Sequence, residues 1–325
     1  MTRTLILGDW PCYNYMSQII PLAKCFKKQG EVGLLAANPV TLHILDSLPF
    51  IDDVNCISLN PSLDNIYVSL ISKDEGLKSA IDYFFLGNYF PGQCGTPPEE
   101  MKLIIKDEVY DLINSYDKIV LIYDGNFKQT KNFFEEIIAR FESKCIGRIH
   151  NWISNCDAYN EDKYMPKEAV EAFGFEWTND LIQLDLDWYK EYDPGWNIFE
   201  DRTVGLTLSA GCETYMPIDE EKTYYRATKL SKLLSKKGYK VHISNRHDDI
   251  RRQMHLRCEY HIVVDSIAVW TGKCFNVPNV FLISGEDNKL ENRLGLQNIL
   301  VGKKSLREVE PEEIVNSFLN KVIKI

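Results

Sequence analysis

In Lys118-Ile119-Val120-Leu121-Ile122-Tyr123 the lysine opens an unbroken apolar run, rich in β-branched residues and as long as one strand. A run of this length without polar alternation reads as a strand buried on both faces. Behind it, Phe133, Phe134, Ile137, Ile138 and Phe141 recur at helical spacing and predict a helix over 128–142, after which 144–149 reads as a strand again. Strand, helix, strand in this order is the unit of a parallel sheet covered on both faces.

The same alternation extends outward in both directions. Toward the N-terminus the pattern predicts a strand over 4–7, a helix over 17–29 closed by Gly30, a strand over 31–37, a short helix over 39–48 and a strand over 54–59; the stretch before 118 is less regular. Toward the C-terminus it loosens from 151 to 200, with one helix near 166–173 and a crossing segment around 181–186. It then restarts: strand 203–208, helix 219–237 with Gly238 behind it, strand 240–244, helix 247–257, strand 260–264, helix 269–275, strand 279–283 and a terminal amphipathic helix over 311–323.

A chain of 325 residues is about two domains long, at roughly 150 residues per domain. We therefore expect an α/β chain of two doubly wound, parallel-sheet domains. The first spans 1–190, with linker from about 151, and the second spans 191–325. Facing each other, such domains would hold a ligand in the crevice at the carboxyl ends of their strands.

Composition is ordinary for a folded protein, with 45% apolar, 26% charged and 12% aromatic residues, which excludes disordered, collagenous and coiled-coil classes. No apolar run reaches the roughly 18 residues of a membrane span, and the N-terminal apolar segment is too short for a secretory signal, so a cytoplasmic location is expected. The net charge of −10 is unevenly spread: residues 1–190 hold 17 Lys/Arg and 28 Asp/Glu, residues 191–325 hold 20 and 19. Within the second half, 222–257 carries 11 basic residues against Asp248 and Asp249. That strip reads either as the solvated face of a helix or as a lure for an anion.

The nine cysteines are scattered and form no C-x-x-C pair, so they read as reduced, packed thiols. The six histidines have no metal-ligand spacing, and no metal or cofactor is expected. Phosphate-loop, dinucleotide-fingerprint, nucleophile-elbow and H-E-x-x-H motifs are all missing.

Three places can carry chemistry. Leu7-Gly8-Asp9-Trp10 follows the first strand, where Asp9 can act as a general base or simply cap the next helix or hold a turn. Val263-Val264-Asp265-Ser266-Ile267 runs from a strand into a helix start, which is an anion site, an N-cap, or both. Leu208-Ser209-Ala210-Gly211 is a strand end with small residues that allow close backbone approach to phosphate.

In order along the chain, Gly8-Asp9, Pro21-Leu22-Ala23, 48–54 (Leu-Pro-Phe-Ile-Asp-Asp-Val), Tyr116-Asp117-Lys118, Gly125-Asn126-Phe127 and Ile146-Gly147 are similar to the N-terminal half of the heptosyltransferase-like glycosyltransferases. Val204-Gly205-Leu206, Ala210-Gly211, Asp265-Ser266 and 276–282 (Asn-Val-Pro-Asn-Val-Phe-Leu) resemble its second half. The resemblance spans nearly the whole chain and rests on collinear order. It implies a GT-B fold of two Rossmann-like domains, with acceptor bound by the first and a nucleoside-diphosphate sugar by the second. It further implies Asp9 as catalytic base, Ala210 and Gly211 near the donor phosphates, Lys222 from the basic strip among the donor-binding residues, and Asp265, Ser266 and Ile267 around the diphosphate, without a metal.

The chain also departs from that pattern. Ile267 stands where the family has Gly, and Trp270 stands where it has His, so one neutral N–H replaces a group that can be cationic. The stretch from Ser244 to Asp265 is short, as though one strand-helix unit were trimmed, which leaves Asp248 or Asp249 to hold the donor ribose. The loop after Asp9 is enlarged and brings Trp10, Tyr13 and Tyr15, whose rings suit a sugar face or a base. The reading is a glycosyltransferase with Asp9 as base; a non-catalytic nucleotide-sugar binding protein and a nucleotide-sugar epimerase are the alternatives. For the acceptor a saccharide is favoured, with a modified nucleic-acid base left open.

Overall fold

Thr4 and Ile6 point to one side of β1 (Thr2–Gly8) and Leu5 and Leu7 to the other, and all four are buried. A strand buried on both faces belongs inside a covered sheet. The computed structural model describes residues 1–8, 13–36, 48–61, 65–71, 102–123, 128–150, 165–184, 200–209, 223–244, 258–264, 269, 273–274, 279–284, 299–302 and 305–323. These fall in two compact units, one of 1–160 with 166–181 and the other of 161–165 with 182–325. The expected division at 190/191 lies outside the described residues.

In the first unit β1 pairs in parallel with β2 (Gly30–Ala36) on one side and β6 (Lys118–Tyr123) on the other. With β3 (Asp53–Pro61), β4 (Asn65–Ile71), β5 (Lys102–Ile105) and β7 (Cys145–His150), the sheet order is β5-β4-β3-β2-β1-β6-β7. The helix α1 (Tyr13–Lys27) lies against β1 and β2. On the opposite face, Val109 and Ile113 of α2 (Asp107–Asn114) and Phe133, Phe134 and Ile137 of α3 (Lys128–Arg140) pack on Leu5, Leu7, Ile119 and Leu121. Then α4 (Met165–Ala172) and a 3-10 turn, Asn179–Leu181, bring Val170 and Leu181 onto Cys25 of α1. Phe26 meets Phe173 and Phe175 edge-on, with centroids 5.7 and 5.0 Å away.

The sequence reading missed β4, β5 and α2 in the stretch before 118. The strands β3 and β4 run antiparallel, so the sheet is mixed rather than purely parallel. Gly30 does not close α1 either. It opens β2 beside Thr2, where an added Cβ would collide with the Thr2 carbonyl. The helix expected over 39–48 lies outside the described residues.

Several segments that carried the family resemblance tie the amino ends of these strands together. Asp52 accepts from Lys27 and from the Val32 amide (2.8 Å), and Asp53 accepts from Asn55 (2.7 Å) and the Tyr116 hydroxyl (3.2 Å). Arg3 and Asp117 are joined twice, by the Arg3 amide donating to the Asp117 side-chain Oδ2 (2.8 Å) and the Asp117 amide donating to the Arg3 carbonyl (2.9 Å), while the Arg3 guanidinium lies 4.6 Å from the Tyr116 ring centre. These residues hold the sheet at the end away from its carboxyl edge.

In the second unit β8 (Glu200–Thr207) pairs in parallel with β9 (Lys240–Ser244) and β10 (Cys258–Val264). With β11 (Val280–Ser284) and β12 (Ile299–Gly302), the order is β12-β11-β10-β8-β9. Among the described residues β9 ends this sheet, in keeping with the short stretch between Ser244 and Asp265. Leu230 and Leu234 of α5 (Ala227–Lys236) and Ile314, Val315 and Phe318 of α6 (Pro311–Val322) close one face over Val204, Leu206, Ile262, Val264 and Phe281. Gly238 ends α5 with a positive φ of 86°, and the Tyr239 amide reaches back to the Leu234 carbonyl (3.2 Å), a glycine cap as the sequence predicts. The strand β12 was not foreseen, and α5 begins at Ala227 instead of near 219. Thr223 and Tyr224 before it are non-helical, because the Tyr224 amide is spent on Leu208.

Candidate functional site

Strands in a doubly wound sheet deliver their following loops to one edge, and ligands bind where the winding direction reverses. In the first unit the chain winds from β1 to β2 and β3 on one side and to β6 and β7 on the other, so the reversal lies between β1 and β6. Gly8 there pairs with Ile122, and the next residue in the chain is Asp9. Asp9 and Trp10 lie outside the described residues. Tyr13 opens α1 and Tyr15 follows in its first turn, at the same carboxyl edge.

In the second unit the reversal lies between β8 and β10. Thr207 pairs with Val263, so the two strands end side by side. Ala210 and Gly211 follow one strand, and Asp265, Ser266 and Ile267 follow the other. These five residues, with Lys222, Asp248 and Trp270, lie outside the described residues, but the strands that carry the first five are neighbours. The loop after β8 is also tied at its far end. The Tyr224 amide donates to the Leu208 carbonyl at 2.8 Å, and the buried Tyr224 hydroxyl donates to the Val309 carbonyl at 3.1 Å. Tyr224, two residues after Lys222 in the chain, is thus held beside the end of β8.

The basic strip is divided in use. Arg226 pairs with Glu310, and Lys229 with Glu310 (3.7 Å) and Glu312 (3.1 Å) at the start of α6. Those two cations serve the helix interface.

Polar groups line the other face of this sheet. Thr203, Thr207 and His261 are buried, and His261 Nε2 lies 3.3 Å from Thr207 Oγ1 while its Nδ1 has no hydrogen-bond partner among the described residues. Gly205 lies opposite His261 across the strands, and a Cβ there would sit 2.7 Å from the ring. The glycine in Val204-Gly205-Leu206 is thus explained by the imidazole it admits. Burial pushes His261 down to about 4, so the ring is neutral at physiological pH. Burial likewise pushes Lys273, in the helical turn that follows β10, down to about 8.

The sequence reading missed Gln18, Lys273 and His261 as residues of interest. Gln18 had a signal: it is a polar residue adjoining the buried apolar run 19–23. Among the described residues no group of His, Cys, Asp or Glu could hold a metal ion, and no helix is long and apolar enough to cross a membrane.

Two sheets with this winding define an α/β protein of two Rossmann-like domains, the GT-B architecture of glycosyltransferases. The solved structures it resembles carry that architecture. One, a glycosyl transferase family 9 protein from Veillonella parvula, aligns with a TM-score of 0.58 over 100% of this chain and 98% of its own, at 11% identity. Another, the ADP-heptose lipopolysaccharide heptosyltransferase II of E. coli, aligns with a TM-score of 0.52 over 100% and 99%, at 12% identity. The sequence matches no protein-family model and no curated protein. The likeness is one of fold, and the fold is the heptosyltransferase-like one that the sequence resemblance implied.

Proposed function

We propose that the chain is a glycosyltransferase that moves a sugar from a nucleoside-diphosphate sugar to an acceptor. The observation that carries this reading is the adjacency of β8 and β10 in the second unit. It lets segments bearing Ala210-Gly211 and Asp265-Ser266-Ile267 leave from neighbouring strand ends at the reversal point, and Tyr224, two residues after Lys222, is tied back to the first of them. Backbone amides at the helix start after Asp265 and the Lys222 ammonium stabilise the departing diphosphate, so the step needs no metal or cofactor. Asp248 holds the donor ribose and Trp270 flanks the phosphates.

On the acceptor side Asp9 takes the proton of an acceptor hydroxyl. The resulting oxygen forms a bond to the anomeric carbon as the bond from that carbon to the diphosphate oxygen breaks, through an oxocarbenium-like transition state. Trp10, Tyr13 and Tyr15 supply a stacking surface for a saccharide acceptor. The fold neighbour that acts on ADP-heptose supports a nucleotide-sugar donor of this general kind. Asp9→Asn, compared with wild type in a donor screen, tests the reading. Transfer is abolished and nucleoside-diphosphate binding is retained; full transfer by the variant would overturn the assignment of the base.

A further inference from the structure

Between Tyr224 and Ile243 the second unit carries six basic residues and no Asp or Glu, in a chain whose acidic residues outnumber its basic ones 47 to 37. Lys232, Lys236, Lys237 and Lys240 are exposed, and the first three form no ion pair among the described residues. Leu230 and Leu234 turn one side of α5 to the core, which leaves Thr228, Lys232, Ser235 and Lys236 on the other. Lysines four apart on a helix repel each other. The dipole at the end of α5 favours Lys236 and Lys237, but its reach stops short of Lys232 in mid-helix. Ordinary solvated faces intersperse both signs, so a face of one sign points to a partner of the other.

Two apolar residues stand exposed at one end of this face, Tyr225 at 59% and Ile243 at 41%. The bond from the Tyr224 amide to Leu208 sets Tyr225 at the carboxyl end of β8, just ahead of α5. Ile243 of β9 pairs with Leu206, two residues before Leu208. Val241 packs into the core beneath α5, and Ile243, two residues on, points to that same side of the sheet. Lysines and apolar side chains therefore share one side of the second unit.

We propose that the outward face of α5, with Tyr225 and Ile243, docks on an anionic phospholipid bilayer. Charge complementarity sets the sign of the partner, and the apolar pair sets its kind. Lysine is a point charge that suits a diffuse layer of headgroups, whereas forked recognition of single phosphates or bases favours arginine, and Arg226 is engaged by Glu310. A cluster of four lysines is of the size that anionic leaflets attract. The Tyr225 ring and the Ile243 side chain find an apolar layer just beneath the headgroups, which the backbone of a nucleic acid does not offer. The contact is peripheral, with α5 lying along the headgroups. It uses no residue of the donor or acceptor site, so it stands whether or not the chain transfers sugars.

Co-sedimentation of the full chain with vesicles tests this, using phosphatidylcholine alone and phosphatidylcholine mixed with phosphatidylglycerol in equal parts. Wild type should pellet with the mixed vesicles only, and less so as salt is raised. Lys232→Gln combined with Lys236→Gln should weaken that binding about tenfold or more, at roughly fivefold for each charge near an anionic surface. Tyr225→Ser combined with Ile243→Ser should weaken it at least about threefold. Lys28→Gln combined with Lys102→Gln removes the same charge from exposed positions of the first unit and should leave binding unchanged. Circular dichroism should show the wild-type spectrum in every variant. No pelleting of wild type with the mixed vesicles, equal pelleting of wild type and the α5 lysine variant, or an equal loss in the first-unit control would overturn the proposal. Retention of polyuridylate through Lys232 and Lys236, without retention of vesicles, would overturn it in favour of a nucleic-acid partner.

Discussion

The Tyr224 amide donates to the Leu208 carbonyl across 2.8 Å, and with that one bond the segment leaving β8 returns to the strand end it left. The Tyr224 hydroxyl fixes the same residue to Val309, just ahead of α6. Tyr224→Phe keeps the ring but leaves the buried Val309 carbonyl unpaired, and should cost about 1–3 kcal/mol in urea unfolding. A change below measurement error would show that the hydroxyl bond does not anchor this segment.

Lys222 precedes Tyr224 by two residues and is the donor-side cation of the proposed function. Lys222→Ala should weaken nucleoside-diphosphate binding about tenfold or more, the usual effect of losing one hydrogen bond from a charged group. The Tm without ligand should stay near that of wild type. Isothermal titration with ADP and UDP measures the first quantity, and unaltered affinity would remove Lys222 from the donor site.

Gly205 is held to glycine by the ring of His261 on the neighbouring strand β10. Gly205→Ala places a methyl group against His261 and should cost about 1–3 kcal/mol. Adding His261→Ala should recover part of that loss, since residues in contact are energetically coupled. Strict additivity in a double-mutant cycle would contradict the contact.

The pH dependence follows from the same histidine. Folded His261 has a pKa pushed down to about 4, whereas in the unfolded chain it protonates near the ordinary 6.5. Between those values the unfolded state binds more protons, so stability is intact above 6.5 and falls as the pH drops toward 4. The loss from this one group approaches roughly 3 kcal/mol. His261→Gln should lose less stability than wild type between about pH 7 and about pH 5, as read from urea midpoints; parallel curves would refute the assignment.

The α/β class was legible because its signals are local. The run 118–123, the spaced aromatics of α3 and the glycine behind α5 each occupy a few consecutive residues, and burial on both faces or along one stripe writes itself directly into composition. The strands β4, β5 and β12, of which β5 and β12 are short edge strands, escaped because pairing with a neighbour, rather than a strong pattern of their own, defines them. The chemically interesting loops were legible only as positions after strands.

Residues 118–149, read alone, already required a strand-helix-strand unit, and its recurrence required two wound sheets. Only tertiary structure decided the strand order, and with it the neighbours β1 and β6, and β8 and β10, at whose ends the candidate loops emerge. Only tertiary structure turned Arg226 and Lys229 toward Glu310 and explained Gly205 by His261. Periodicity records which face of an element is buried, but what it is buried against depends on contacts between residues far apart in the chain.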